Sequence, residues 1–433
     1  MTRFYYFNNN NKGLWKTQRP TIKIKIMCYK NICETVQNEI KFTRKVNQMT
    51  TRERSQVKFK CQTSEFSEAI QIASHAVATK PQTPILSGIY MRAEEDGLVI
   101  IATDYEIGIV TKIAADVIET GEIVIEGHFL QETARKLPGE IMELDFAKNG
   151  NESKLAKISS NAYHVQLNVM NAEDFPKINQ ITGEGSFKLR DNILKRLIRR
   201  TSYACSTDDA RPVFMGCLLE LEGNTIRMVA TNIHRLALAE DKLEGVNFEK
   251  KEQCIIPKRI LEELLRDLTS EIPDDIEIGR TYSEICFSFG DTYITSRLIE
   301  GQFPEYRYAI PQEFATRVTI PVDEFKSAVD RISFVARSSD YNVISMNFSM
   351  GEVHLSSSNP EVGETSETMP VVIDGPDVEI SFNVAYLIDV LKTLTSKEFY
   401  LSLNESLKPA AIREEGDGNF IYIATPVRTR EFH

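Results

Sequence analysis

The sequence is poor in the residues that build metal centres and disulfide frameworks. Its 433 residues include seven cysteines, six histidines and one tryptophan, and no two cysteines form a Cys-x-x-Cys pair. A zinc site or a disulfide framework is therefore not expected, and buried free thiols in a reducing cytoplasm are the ordinary interpretation. We expect neither a metal nor another cofactor.

Long apolar runs and catalytic motifs are also missing. No stretch approaches the roughly 18–20 apolar residues that span a bilayer, so we predict a soluble, cytoplasmic protein with no membrane partner. Phosphate-binding loops, dinucleotide fingerprints, His-Glu-x-x-His and Gly-x-Ser-x-Gly do not occur. His234, beside Arg235, is the most suggestive histidine, but no nucleophile accompanies it in a recognisable motif. A hydrolase centred on His234 and the loop at Asp274 is the least favoured alternative.

Positive charge is scarce overall and unevenly placed. There are 51 Lys and Arg against 62 Asp and Glu, a net charge of −11, which argues against a general nucleic-acid adhesive. Residues 1–48 contain ten basic and two acidic side chains, which leaves 41 basic and 60 acidic ones in the rest of the chain. We predict that residues 1–56 are a disordered basic extension. A translation start at Met49 would account for residues 1–48 as well as any function of this segment would.

Four sequence features recur three times in the same order. They are a strand followed by a helix, a strand ending in a polar turn, a second strand and helix, and a closing strand. Thr103 and Thr231 occupy the same place in the second feature and lie 128 residues apart. In the first feature the corresponding helix residues are Phe66, Leu194 and Phe325. Such regularity predicts a molecule built from three copies of one unit.

The repeat predicts the fold class. Each unit would pack two amphipathic helices on a mainly antiparallel sheet, which makes an α+β domain. The Phe-Pro pairs at 175–176 and 303–304 are again 128 residues apart. We predict domains at 57–182, 183–312 and 313–433, joined near 183–185 and 311–313.

One helix carries a concentrated basic face. Lys195, Arg196, Arg199 and Arg200 share the predicted outer face of the first helix in the second domain. Taken singly, such residues usually form a solvated surface. An acidic chain that places them on corresponding helices would nevertheless present a local positive lining, which would hold nucleic acid by its phosphates without reading bases.

Several segments together resemble a known family. They are FKCQTSEFSEAIQIASHAVATKPQTPILSGIYM, the ATD of the first domain, ATNIHRLALA, FPEY, SSNPE, ISFNVAYLIDVLK and the terminal TPVRT. In this order, from about Val57 to Arg428, they resemble the bacterial DNA polymerase III β subunit, the replicative sliding clamp. The resemblance implies three clamp domains per chain and a head-to-tail homodimer that closes into a ring. It implies a non-enzymatic processivity factor that encircles duplex DNA during replication and tethers the replicative polymerase.

The resemblance also implies site residues. Lys80, Lys195, Arg196, Arg199 and Arg200 would approach duplex phosphates. Val165 and Leu167 would meet Phe334 and Val335 of the other subunit. A hydrophobic cleft between the second and third domains would bind short peptides of the polymerase, the clamp loader and other replication or repair proteins. This cleft would be formed by Phe214, Thr231, His234, Arg235, Leu236, Pro304, Leu407, Pro409, Ile423, Pro426, Val427 and Arg428.

The chain departs from the family pattern in places. The family usually has Asp-Gly or a similar pair before His-Arg, whereas this chain has Asn232-Ile233, which predicts a reshaped cleft. The chain also continues past Arg428 for five residues, which could alter the cleft rim. A monomeric peptide-binding adaptor that uses the same cleft without encircling DNA is the main alternative. Since no ATP-binding motif is present, the family reading implies an external ATP-driven loader.

Overall fold

A computed structural model describes residues 56–147, 155–178, 186–268, 275–337 and 342–428. The predicted basic extension, apart from Gln56, and the joint at 183–185 lie outside the described residues.

The first domain begins with a strand and an amphipathic helix. Helix α1 spans Thr63–Ser74, and its apolar residues Phe66, Ile70 and Ala73 are fully buried. Helix α2 spans Gly127–Arg135. The strands are β1 (Gln56–Gln62), β2 (Gly88–Glu94), β3 (Gly97–Thr103), β4 (Ile107–Ile113), β5 (Asp116–Glu119), β6 (Gly121–Glu126), β7 (Ile141–Ala147), β8 (Leu155–Ser160) and β9 (Tyr163–Met170).

The second domain repeats this order. Helix α3 spans Asp191–Thr201 and buries Leu194, Leu197 and Ile198, whereas helix α4 spans Lys258–Asp267. The strands are β10 (Phe187–Arg190), β11 (Gly216–Gly223), β12 (Thr225–Thr231), β13 (Arg235–Lys242), β14 (Phe248–Pro257), β15 (Asp275–Arg280), β16 (Glu284–Phe289) and β17 (Thr292–Arg297).

The third domain has the same plan with a longer first helix. Helix α5 spans Val322–Ala336 and helix α6 spans Val384–Leu391. The strands are β18 (Thr316–Pro321), β19 (Val343–Ser349), β20 (Glu352–Asn359), β21 (Gly363–Pro370), β22 (Val372–Asp374), β23 (Val378–Asn383), β24 (Glu398–Leu403), β25 (Ala410–Glu414) and β26 (Phe420–Ala424).

The three units share one packing scheme, as the repeat predicts. Phe66, Leu194 and Phe325 are buried at corresponding places on α1, α3 and α5. Each unit contributes two helices within the described ranges, and all strand pairs are antiparallel. The α+β prediction with three repeated domains is confirmed.

Strands continue from one domain into the next. A 13-stranded sheet crosses from the first to the second domain where β4 pairs with β17, and a nine-stranded sheet crosses from the second to the third where β13 pairs with β26. A four-stranded sheet in the third domain runs in the order β21-β20-β19-β23. The domains are therefore joined by backbone hydrogen bonds at two junctions, which we call junction 1–2 and junction 2–3.

Candidate functional site

Junction 2–3 begins at a tight turn between β12 and β13. The hydroxyl of Thr231 donates to the carbonyl of Arg235 at 2.7 Å and accepts from the amide of Ile233 at 3.1 Å. The Asn232 Oδ1 accepts from the amides of His234 and Arg235, at 3.1 and 3.0 Å. Thr231 is buried in this network. It therefore shapes the turn, and its hydroxyl is engaged within the chain.

The tip of this turn is unusual. Ile233 has φ of 80°, a left-handed conformation that a β-branched residue rarely adopts, and its side chain is 50% exposed. The family preference for glycine at this position is explained by that φ, because glycine adopts it without steric cost. Here the turn presents an apolar side chain to solvent instead.

A small apolar cluster forms the floor of the predicted cleft. Leu236 of β13 and Ile423 of β26 are register partners across junction 2–3. Because side chains alternate along a strand, Leu236 lies on the opposite face from Ala237, which joins the main core. The cluster contains Leu218, Val229, Leu236, Ile255, Phe303, Tyr306, Ala411, Ile421 and Ile423.

The rim residues surround this floor. The ring of Phe214 meets that of Phe303 edge-on, with centroids 6.3 Å apart. The carbonyl of His234 accepts from Thr425 at 2.9 Å, which ties the turn to the end of β26. Leu407 is 47% exposed on the loop before β25. The remaining predicted rim residues are partly or fully exposed: His234, Pro304, Pro409, Pro426, Val427 and Arg428.

Of the floor cluster only Leu236 and Ile423 were predicted from the sequence, and Val213 and Tyr306 illustrate what was missed. Val213 and Tyr306 both contribute to the floor cluster or pack against it. They lie in short 3-10 helices, at Pro212–Phe214 and Tyr306–Ala309. Elements this short show no hydrophobic periodicity, so periodicity pointed to neither residue; Tyr306 was marked only as the last residue of the FPEY segment.

Arg235 has a different role from the predicted one. The resemblance predicts that Arg235 helps to form the peptide-binding cleft. The side chain is buried, bonds Asp389 at 2.7 Å and the carbonyl of Tyr203, and lies 4.4 Å from the ring centroid of Tyr386. We therefore reassign Arg235 from peptide contact to the domain junction, because its charge is already met by Asp389.

Junction 1–2 repeats the turn but changes the side chains around it. The Thr103 hydroxyl donates to the Ile107 carbonyl at 2.8 Å and accepts from the Tyr105 amide at 3.1 Å, and Tyr105 has φ of 74°. A cavity of about 170 Å³ lies beside this turn. Its lining has Gly108, Glu284 and Thr295 at the positions that correspond to Leu236, Pro409 and Ile423 of the cleft.

The basic face of α3 is less exposed than predicted. Arg199 is exposed, Arg196 is half-exposed and pairs with Asp241, and Lys195 is largely covered beside Asp191 at 2.6 Å. Lys80, on the loop after α1, is exposed.

Arg200 does not lie on the outer face, and that part of the prediction is wrong. It is buried, pairs with Glu414 and Asp417 of the third domain, and lies 5.1 Å from the ring centroid of Phe420. The third domain covers the side of α3 that carries Arg200. Its guanidinium is occupied by two carboxylates and does not face solvent.

Of the residues predicted for subunit contact, three are accessible in this chain and one is buried. Phe334 on α5 is 73% exposed, and Val165 and Leu167 on β9 are half-buried. Val335 is only 7% exposed, so its assignment to a contact surface is wrong. On α5 it lies toward the core, one residue away from the exposed position.

The remaining chemistry is sparse. Burial raises the pKa of Cys61 to about 12 and that of Cys254 to about 11, which keeps these thiols protonated and unreactive. No group of three metal-binding side chains occurs in the described ranges. Within the same ranges, no helix is long and apolar enough to cross a membrane.

Comparison with known proteins decides the family. Three models of the DNA polymerase III β subunit match in chain order: the N-terminal domain at residues 57–179, the central domain at 188–305 and the C-terminal domain at 307–428. The chain belongs to the β sliding clamp family. The family prediction from the sequence is confirmed, and the protein is a clamp rather than an enzyme.

Individual relatives agree with this assignment. The β sliding clamp of Bacillus subtilis is 30% identical over 387 residues, which covers 86% of this chain and all of the relative. That of Staphylococcus aureus is 30% identical over 363 residues and covers 82% of this chain and 94% of the relative. The crystal structure of the sliding clamp from B. subtilis superposes with a TM-score of 0.81 at 30% identity, covering 87% of this chain and 100% of that one.

Proposed function

We propose that two copies of this clamp close head-to-tail into a ring that encircles duplex DNA. The observation that carries the proposal is the repeated junction. At both intrachain junctions, the strand after the polar turn of one domain pairs with the last strand of the next domain, β4 with β17 and β13 with β26. The third domain offers the equivalent turn strand, β21, at a sheet edge, and the first domain offers the equivalent last strand, β9.

Both of these strands have an open edge. Among the described residues, β21 pairs with β20 alone, and β9 pairs with β6 at Val169 and Met170 alone. The Tyr163–Asn168 part of β9 therefore has one edge unpaired, and so has β21. Unpaired strand edges invite association, and joining β21 to β9 of a second copy would pair both. Two copies then supply six domains and six equivalent junctions.

The repeat also predicts the register of this contact. Ile294 pairs with Ile109 across junction 1–2. Positions in equivalent strands can be matched by counting from the hairpin that precedes each strand. On this count, Val165 of β9 corresponds to Ile294 of β17, and Thr365 of β21 corresponds to Ile109 of β4. We therefore propose that Val165 of one subunit lies opposite Thr365 of the other. The neighbouring Leu167 and Phe334 would pack beside this ladder.

DNA would be held by enclosure. Lys80, Lys195, Arg196 and Arg199 would approach the phosphates, and Arg200 is excluded because it is buried. Two of these four side chains, Lys195 and Arg196, already neighbour acidic groups, so the attraction for phosphate is weak and salt-sensitive. A loose positive lining inside an acidic body lets the ring slide, while closure keeps it on the duplex.

The cleft at junction 2–3 would tether the partners. Its apolar floor buries peptide anchors, and the rim at Phe214, His234 and Leu407 supplies exposed contacts. Replicative DNA polymerase, the clamp loader and other proteins with a clamp-binding segment would compete for it in the cytoplasm. We retain the predicted domain boundaries at 57–182, 183–312 and 313–433 for this assignment.

The decisive experiment tests closure directly. Val165→Cys with Thr365→Cys should form an intersubunit disulfide, since opposed residues of an antiparallel ladder lie within disulfide reach. Val165→Cys with Glu367→Cys, two residues out of register, is the matched control and should not cross-link. The oxidised double variant should stay on circular DNA in high salt and be released by linearisation.

Two outcomes would contradict the ring. Equal retention on linear and circular DNA would indicate ordinary site binding. Sedimentation at the monomer mass of 49.2 kDa at micromolar concentration would favour the monomeric adaptor.

A further inference from the structure

His75 brings the first and second domains together through two carboxylates. It follows α1 directly, at the C-terminal cap of that helix. Its Nδ1 lies 3.2 Å from Glu263 Oε2 and 3.3 Å from Asp267 Oδ1. Glu263 and Asp267 are four residues apart on α4, so successive turns of one helix present both carboxylates to the same imidazole.

This trio is largely withdrawn from water. The side chains of His75, Glu263 and Asp267 are 17%, 11% and 2% exposed. Asp267 Oδ2 has no hydrogen-bond partner within the described part of the chain. A carboxylate that is this buried requires a nearby cation to offset the loss of hydration. The imidazolium form of His75 is positioned to be that cation.

The other charged groups nearby do not replace His75. Arg266 donates to both carboxylate oxygens of Glu263 at 2.9 Å. Arg259 donates to the backbone carbonyl of His75 at 3.1 Å and pairs with Asp104, with Glu106 at 4.0 Å. Neither arginine forms an ion pair with Asp267, whose only ion-pair contact among the described residues is His75.

We propose that His75 is a pH-operated latch between the first and second domains. When protonated, its imidazolium bridges Glu263 and Asp267 and holds α1 against α4. When neutral, it leaves two buried carboxylates side by side with only Arg266 to offset them, and junction 1–2 loosens. This inference concerns contacts within one chain, so it does not depend on ring closure.

The direction of the pH effect follows from the same contacts. The Asp267 carboxylate, 3.3 Å from Nδ1, raises the pKa of His75 above its ordinary value of about 6.5, and this gain exceeds the opposing effect of burial. The stabilisation is therefore complete below the ordinary pKa and is lost as pH rises through the folded pKa. Junction 2–3 is held by Arg200 and Arg235, whose guanidinium groups keep their charge throughout this range.

Hydrogen exchange of the full-length protein tests the latch. Between about pH 6 and about pH 9, and after correction for intrinsic exchange, we expect peptides from α1 and α4 to lose protection severalfold. Peptides from α3 and β26, at junction 2–3, should keep theirs. In His75→Gln, the α1 and α4 peptides should show the low protection at every pH. His128→Gln, which changes an exposed histidine on α2, should behave as the unmodified chain does.

A second measurement tests the proposal without relying on the His75→Gln variant, which could fail to fold. A proton-carbon NMR titration should place the pKa of the His75 imidazole above its ordinary value of about 6.5, and Asp267→Asn should lower it. The proposal is overturned if His75 titrates at or below its ordinary pKa. It is equally overturned if α1 and α4 lose protection with pH in the unmodified chain and in Asp267→Asn alike.

Discussion

The two intrachain junctions of this clamp share a backbone and differ in chemistry. Both contain the same hydrogen-bonded turn with one residue of positive φ, Tyr105 or Ile233, and the same pairing of turn strand with last strand. Junction 2–3 is closed by buried arginines and has an apolar cluster beside the turn. Junction 1–2 is closed by the partly exposed Arg259–Asp104 pair and by His75, and has a polar cavity beside its turn.

The difference shows how a repeated fold can place an apolar surface at one junction and a polar one at another. Strand pairing uses backbone groups, so it is retained whatever side chains the repeat carries. The cleft depends on Leu236, Pro409 and Ile423, and the corresponding residues at junction 1–2 are smaller or polar. Among the described residues of the two intrachain junctions, the apolar floor is therefore found at junction 2–3, where we propose that peptides bind.

Removing the buried ion pair of junction 2–3 should have the largest effect on the free energy of unfolding. Arg200→Ala leaves Glu414 buried without its cation, so we expect the free energy of unfolding to fall by about 3 kcal/mol. Burial alone would raise the pKa of Asp417, but hydrogen bonds from Arg200 and Asn419 lower it, so this carboxylate also loses stabilisation. Chemical denaturation measures the change. Arg199→Ala, on the exposed face, should stay within about 0.5 kcal/mol of the unmodified protein.

The junction between subunits should be broken by a surface charge. Phe334→Asp adds a charge at an exposed position, so it should leave the monomer folded and weaken the dimer at least tenfold, about 1.4 kcal/mol or more. Sedimentation equilibrium measures the change. Tyr282→Asp, at an exposed aromatic residue of the second domain, should leave the dimer intact. Val335→Asp should instead unfold the third domain, because Val335 is buried; a folded monomer from it would contradict our correction.

The cleft can be tested through its exposed rim. Leu407→Asp should lower the affinity of the clamp for a fluorescent peptide from the clamp-binding segment of the polymerase about tenfold, because a charge replaces an apolar contact at the cleft. The free energy of unfolding of the clamp should change little. Fluorescence polarisation reads the affinity. Tyr282→Asp, at a fully exposed residue between β15 and β16, should bind the same peptide with unchanged affinity. Unchanged affinity in Leu407→Asp would remove this residue from the cleft.

The smallest effect concerns the shared turn. Ile233→Gly relieves the positive φ and should raise the free energy of unfolding by up to about 1 kcal/mol. Tyr105→Gly should act in the same direction if the two turns are equivalent. Differential scanning calorimetry compares them, and Ile233→Ala, which keeps the steric penalty, serves as the control. Opposite signs for the two glycine variants would show that the turns are not equivalent.

Residue patterns within one element were predicted well. The spacing of Leu194, Leu197 and Ile198 gave the buried face of α3, and the 128-residue spacing related the turns of the two junctions. The floor residues Leu236 and Ile423 were also assigned correctly to one place, through the family pattern. The information in the first two cases is local or is repeated along the chain, and in the third it comes from the family resemblance, so all three can be read without coordinates.

Contacts between domains were not predictable in this way. Helical spacing places Arg200 on one face with Arg196, yet its partner Glu414 is 214 residues away and covers that position. The same holds for Arg235 with Asp389, which are 154 residues apart, and for His75 with Asp267.

The sequence alone determined the three-fold repeat, the α+β class, the family and the side of each helix that enters its own core. Tertiary structure decided which of the remaining polar side chains meet solvent and which meet another domain. The physical reason is that periodicity records the environment of a residue within its own element. Burial of a charge depends on distant carboxylates that arrive only when the domains pack, and no local pattern encodes their arrival.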